Sequence, residues 1–189
     1  MSNLSNVTTT LSNKDVLKVA KDLLKVAGKS KAPMGVINTL DFCIVIINYW
    51  ESFNSQQGAQ TPTDYIIKSL ILSVKDFTKI GKASMVFRML KESEDKPVVK
   101  SINNFVTRYI LRYIANANRK DYININVKPY FLDDILHIEL VSEVIFDNMT
   151  SGQIRVLNDE LGINIPTSSA NIARQEELDK QNKELSDLW

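Results

Sequence analysis

Two fragments hold the residue types of a phosphate-binding loop, Gly28-Lys29-Ser30 and Gly81-Lys82-Ala83-Ser84. A P-loop also needs a glycine five residues before the one that precedes the lysine, so that its backbone amides can wrap the phosphates between a strand and a helix start. Leu23 and Asp76 stand at those positions. Each glycine reads instead as the end of a helix followed by a lysine. His137 is the only histidine, so a Ser-His-Asp or Cys-His arrangement would have to run through it. Its neighbours are Leu136 and Ile138 and no nucleophile motif is near, which suits a partly buried or interfacial side chain. Cys43 is the only cysteine, which rules out an intrachain disulfide and a multi-cysteine zinc site. No basic neighbour or helix start would lower its pKa, and it reads as a small core residue. Asp133-Asp134 lacks EF-hand spacing and is expected in the first turn of a helix, where negative charge suits the dipole. The expectation is therefore no catalytic, metal or cofactor site, and a protein that is not an enzyme.

The best cluster of one charge is basic: Lys100, Arg108, Arg112, Arg119 and Lys120. On a helix over 98–117, residues 108 and 112 share a face, and 119–120 extend that strip past its end. Tyr109 and Tyr113 lie close enough in sequence to add stacking surface. Such a strip could track a nucleic-acid backbone; a solvated helix face is the reading favoured over it, and an intersubunit salt-bridge surface is the third. A helix-turn-helix over 153–174 fails, because NIPTSSAN puts proline and turn formers where the second helix should begin.

The elements that must carry these residues read as mostly helical. A first helix starts near Ser12 or Asn13 and ends at Gly28, with Lys14, Lys18, Lys21 and Lys25 on its polar side. A second, about 35–53, is apolar almost all round and belongs at the centre. At 15 residues its most hydrophobic stretch, 36–50, falls short of the ~20 residues that span a bilayer. Thr61-Pro62-Thr63-Asp64 opens a third helix that should run to residue 80, and 83–91 reads as a shorter helical piece. Residues 98–117 keep a three-to-four apolar spacing over about four turns. One segment, 122–127, alternates like a strand and needs a partner, in this chain or another. Residues 130–147 fit neither period well; their length and interior acids favour helix. Thr150 and Gln153 can form a capping box for 152–161, and a polar helix follows from about Ser169.

Over 189 residues, 44% hydrophobic content supplies a core and the net charge is only +1, which argues against a dedicated nucleic-acid or membrane-surface binder. The expected organisation is an N-terminal polar arm over 1–11, a helical core over 12–165 and a C-terminal helical arm over 166–189. The fold expected is mostly α, a single domain of about six to eight helices with one short strand or hairpin at most. Leu4 and Val7 in the first arm, and Ile172, Leu178, Leu185, Leu188 and Trp189 in the second, are the candidate interface residues. A terminal tryptophan suits a partner's pocket.

In architecture alone, with no shared motif, this organisation resembles that of virion structural proteins such as the head-to-tail connector of a tailed phage or the coat protein of a helical virus. It implies a non-enzymatic subunit of a homo-oligomeric ring, shell or filament whose arms reach across to neighbours. The alternative is a nucleic-acid-coating protein of nucleocapsid type, using the strip on helix 98–117. Expected partners are further copies and neighbouring structural subunits, or nucleic acid on the alternative, and no membrane. Assembly would take place in the cytoplasm, and the assembled product could be a virion.

Overall fold

The computed structural model describes residues 14, 15, 18, 21, 22, 35–53, 61–77 and 80–189. The expectations for the N-terminal arm, with Leu4 and Val7, and for Gly28 and the Ser12 or Asn13 cap lie outside the described residues. Lys14, Asp15, Lys18, Lys21 and Asp22 are helical and exposed.

The mostly helical expectation is corrected. The described residues form five α-helices and a four-stranded mixed sheet, an α/β fold. In chain order these are β1 (Val36–Asn38), α1 (Thr39–Phe53), α2 (Pro62–Ser73), β2 (Ile80–Arg88), α3 (Pro97–Ala117), β3 (Ile123–Leu132), β4 (Ile135–Ile145), α4 (Ser151–Leu161) and α5 (Ser169–Ser186). The strands lie in the order β1-β2-β4-β3. β1 runs parallel to β2, with Val36 opposite Val86. β4 is antiparallel to both neighbours, with Phe87 opposite Ile138 and Val127 opposite Leu140.

Two expected helices are therefore strands. β2 occupies part of the segment expected to hold helices three and four, and α2 stops at Ser73 rather than at residue 80. The cause is a two-residue period written in small side chains. Gly81, Ala83, Met85 and Phe87 are buried while Lys82 and Ser84 are exposed, but glycine, alanine and serine carry little strand propensity. Nor is Gly81 a helix end. It sits where a Cβ would lie 2.7 Å from a methyl of Val74 and 2.8 Å from the ring of Phe146, so only glycine lets those side chains close over the sheet.

The segment 130–147 is likewise strand. Ile138, Leu140, Ser142 and Val144 are buried on the inner face of β4, and Glu139 and Glu143 stand on the other. The acids that favoured helix are the outward half of the alternation. Asp133 and Asp134 do not start a helix. They form the two-residue connection between β3 and β4, with φ of 50° and 61°, the left-handed pair that a tight hairpin turn requires and that aspartate tolerates well. The strand expected at 122–127 is real and longer, and its partner is β4 of the same chain.

One face of the sheet is covered. Phe42, Cys43, Ile46 and Ile47 of α1, Ile66, Ile67, Leu70 and Ile71 of α2, and Ile102, Phe105, Val106 and Ile110 of α3 close over Met85, Phe87, Ile138, Leu140 and Ile123 in a continuous core. The helix expected at the centre is thus α1, although Ile44 is 38% exposed. α3 keeps its apolar spacing, and two polar side chains, Ser101 and Asn103, are buried with it.

That asparagine has a structural task. Its Oδ1 accepts from the Leu90 amide at 3.0 Å and its Nδ2 donates to the Leu90 carbonyl at 2.8 Å, as a neighbouring strand would. Asn118 does the same for Ile125 at 2.7 and 3.1 Å, and Asn158 for Ile165 at 2.7 and 3.0 Å. Each satisfies both polar groups of a residue that has left, or lies at the edge of, regular pairing. Asn103→Ala strands both Leu90 groups, and should cost about 1–3 kcal/mol in denaturant unfolding. Exposed Asn104→Ala should change little; equal effects at the two positions would remove this role.

The sheet edges are blunted by the same means. Ile145 donates to the Tyr122 carbonyl at 2.8 Å, so with the β3–β4 register the even-numbered residues of β3 face β4 and residues 125, 127, 129 and 131 face outward. Asn118 occupies position 125, and Pro129 has no amide to offer. On β2, beyond β1, the Ser84 amide donates to Ser73 Oγ at 3.0 Å. An incoming strand finds part of each edge already occupied.

Candidate functional site

The basic strip is where the sequence put it. Lys100, Arg108, Arg112, Arg119 and Lys120 are all exposed, the first three on one face of α3 and the last two in the turn after it. None of the five makes an ion pair among the described residues. α3 contains no aspartate or glutamate, so nothing on the helix itself offsets these charges.

The stacking surface expected beside the strip is absent. Tyr113 is buried, with its ring centroid 6.3 Å from that of Phe42 and 5.8 Å from that of Tyr109. Burial, with smaller contributions from Tyr109 and Tyr49 that outweigh nearby Arg112, pushes its hydroxyl up to about 12. Half-buried Tyr109 turns toward Phe105, 4.6 Å away between ring centroids. The two tyrosines belong to the core side of α3.

The C-terminal arm has a rooted half and a projecting half. Ser168 caps α5 through a capping box with Asn171. Asn171, 1% exposed, donates to the carbonyls of Phe146 at 2.7 Å and Met149 at 2.8 Å. Ser168 Oγ donates to Asp147 at 2.9 Å, and Gln175 Oε1 accepts from the Gly152 amide at 2.9 Å. Arg174 reaches Asp121 at 3.3 Å and Asn148 at 3.2 Å. The root thus lies on α4, on the turn after β4 and beside the end of α3. Beyond it, every residue from 176 to 189 is exposed, and Leu178 and Leu185 are 40% and 58% exposed, with Leu188 and Trp189 more so. Ile172, on the rooted half, is also exposed.

A second projection is the β3–β4 hairpin, where Phe131 and Leu132 are 74% and 55% exposed. His137 sits near its base and is buried. Its Nδ1–H donates to the Ile135 carbonyl at 2.9 Å, and its ring stacks on Tyr130 with centroids 5.1 Å apart. Its register neighbours across the strands are Arg88 and Tyr130. Cys43 is fully buried, and desolvation raises its thiol to about 12, which keeps it protonated and unreactive.

Sequence reasoning misses the groove on the open face of the sheet. About 760 Å³ in volume, it is lined by Ser73, Lys75, Asp76, Lys82, Glu139 and Glu143 among others. Lys82 and Glu143 are cross-strand partners there, a pairing of opposite charges that stabilises a sheet modestly. The only signal for it is the alternation of β2 and β4, which their composition disguises as helix. Among the described residues no group of three or more His, Cys, Asp or Glu side chains is placed to hold a metal ion, and no helix is long and apolar enough to cross a membrane. The groove sets these charges on a strand surface beside Ser84 and Ser142.

No family model matches this chain, and no curated protein or solved structure matches it.

Proposed function

We propose that this chain is a non-enzymatic assembly protein, a subunit of a homo-oligomeric ring, shell or filament joined through its C-terminal arm. The observation that carries this reading is the projecting half of α5. A helix of this length is marginal in water on its own, and residues 176–189 carry Leu178, Leu185, Leu188 and Trp189 into solvent. An anchored rod that ends in exposed leucines and a tryptophan is suited to a neighbour's surface. The blunted sheet edges favour the arm over strand addition as the route to assembly.

The helical architecture that likened the chain to phage connectors has given way to an α/β fold, so a virion setting rests on the arm alone. A nucleic-acid-coating role draws support from the five exposed cations of the α3 strip, and loses the stacking tyrosines.

The test is removal of residues 178–189, which touches none of the root contacts made by Ser168, Asn171 and Arg174 or the Gln175 contact with Gly152. Light scattering on the full chain should give a multimer, and the truncated chain a lower mass with an unchanged melting temperature. An unchanged mass would sink the arm reading.

A further inference from the structure

The strip on α3 and the arm of α5 carry opposite patterns. α3 presents Leu111, 48% exposed, and Ala115 between Arg108, Arg112 and Arg119, with Lys100 further along. The projecting stretch 176–189 presents Leu178 and Leu185, each immediately preceded by a glutamate, Glu177 and Glu184. That stretch carries five acids to two lysines. Neither set of charges is used in an ion pair among the described residues. Glu177 and Glu184 are seven residues apart, about 10 Å along a helix; Arg112 and Arg119 have the same spacing in sequence.

We propose that the exposed face of α3 receives the projecting half of α5 from a second copy of this chain, so that subunits join head to tail. The inference rests on the arm reading and names the surface on which the arm lands. The arm cannot serve its own strip: α5 is one uninterrupted helix, rooted beside the end of α3 through Arg174 and Asp121, and it leaves its own chain from there. A contact between two different patches is heterologous, and it closes into a ring or runs on as a filament according to the rotation it imposes. Leucine on leucine and alanine removes apolar surface from water. The flanking arginine–glutamate pairs set direction and register, and they make the association weaken with added salt. Nucleic acid fits the strip less well, because an acidic arm on every copy would repel it and the tyrosines beside the strip face inward.

The experiment compares light-scattering mass and the 260/280 nm absorbance ratio for five full-length or truncated proteins: wild type, the 178–189 deletion, Arg112→Glu/Arg119→Glu, Glu177→Lys/Glu184→Lys, and the variant with all four changes. Each double variant should lose the multimer, with tenfold or greater loss of apparent affinity on dilution. The fourfold variant should regain it, because the charges are exchanged between the two faces. All positions changed are exposed, so circular dichroism should be unaltered. Loss on deletion together with an unaltered α3 double variant overturns this inference while the arm reading stands, since α5 then lands elsewhere. Failure of the fourfold variant to recover overturns it as well. Co-purifying nucleic acid that the α3 variant sheds at unchanged protein mass reassigns the strip to nucleic acid. A wild-type chain that stays monomeric at the highest concentration reached overturns both readings.

Discussion

Phe42→Ala should remove a large part of this protein's stability, about 3–5 kcal/mol, against a total that for domains of this kind is about 5–15 kcal/mol. The expectation follows from position. Phe42 is fully buried on α1, and its ring meets one aromatic from each of three other elements: Tyr65 of α2 at 5.9 Å, Phe87 of β2 at 4.9 Å in an edge-on arrangement, and Tyr113 of α3 at 6.3 Å. Removing the ring therefore opens a cavity at the junction of three helices and the sheet, where neighbours from separate elements cannot all close in. It also forfeits aromatic pairings worth about 0.5–1.5 kcal/mol each beyond area burial. Phe42→Leu should recover roughly half of the loss, and Leu72→Ala, at a site 55% exposed, should cost little. Guanidinium titration of the four proteins decides it. A loss below about 1 kcal/mol for Phe42→Ala would mean that the junction repacks freely, and the covered face of the sheet would not be a cooperative core.

What is legible in the sequence depends on how strongly each element is written in its own residues. α2 announces itself with a cap, a proline and an acid in succession, and the Thr61 side chain accepts from the Asp64 amide as that pattern implies. α4 has its capping box and ends at Gly162 with φ 63°. α3 has long apolar periodicity, and its cations stand exposed as that spacing implies. The strands are hidden by composition. β2 marks its buried face with glycine and alanine, and β4 interrupts its own with Ser142 while two glutamates occupy the other face. The hairpin joining β3 to β4 uses two aspartates in place of the asparagine–glycine that usually betrays such a turn. Taking that turn for a helix start removes the cue that would pair the 122–127 strand with the next segment of the chain. Tyr113 and Asn103 show a further limit. Sequence spacing assigns a residue to a helix face, but the extent of burial depends on what packs against that face.

High pH should destabilise the protein chiefly through two buried side chains, with Tyr65 and Tyr122 raised by burial in the same direction. Cys43 is raised by burial from 9.0 to about 12, and Tyr113, chiefly by burial, from 10.0 to about 12. In both cases the folded state holds a proton that the unfolded chain gives up earlier. Their contribution to stability is therefore complete below pH 9, starts to fall once the free thiol ionises, and is lost as pH approaches 12. Each pH unit above the unfolded value removes about 1.4 kcal/mol per group, so the thiol alone accounts for roughly 4 kcal/mol between pH 9 and 12, and the phenol for less. The melting temperature should hold steady to about pH 9 and then drop. Cys43→Ala tests the thiol's share directly, because it deletes the lower of the two titrations and should move the onset up toward pH 10. At neutral pH the variant will be the less stable protein, through the small cavity it leaves. The stability gap to wild type should narrow steadily above pH 9 as the wild type loses what the variant no longer has to lose. A gap that stays constant from about pH 7 to 11 would show that burial does not hold the thiol protonated, and Cys43 would then be a group able to react.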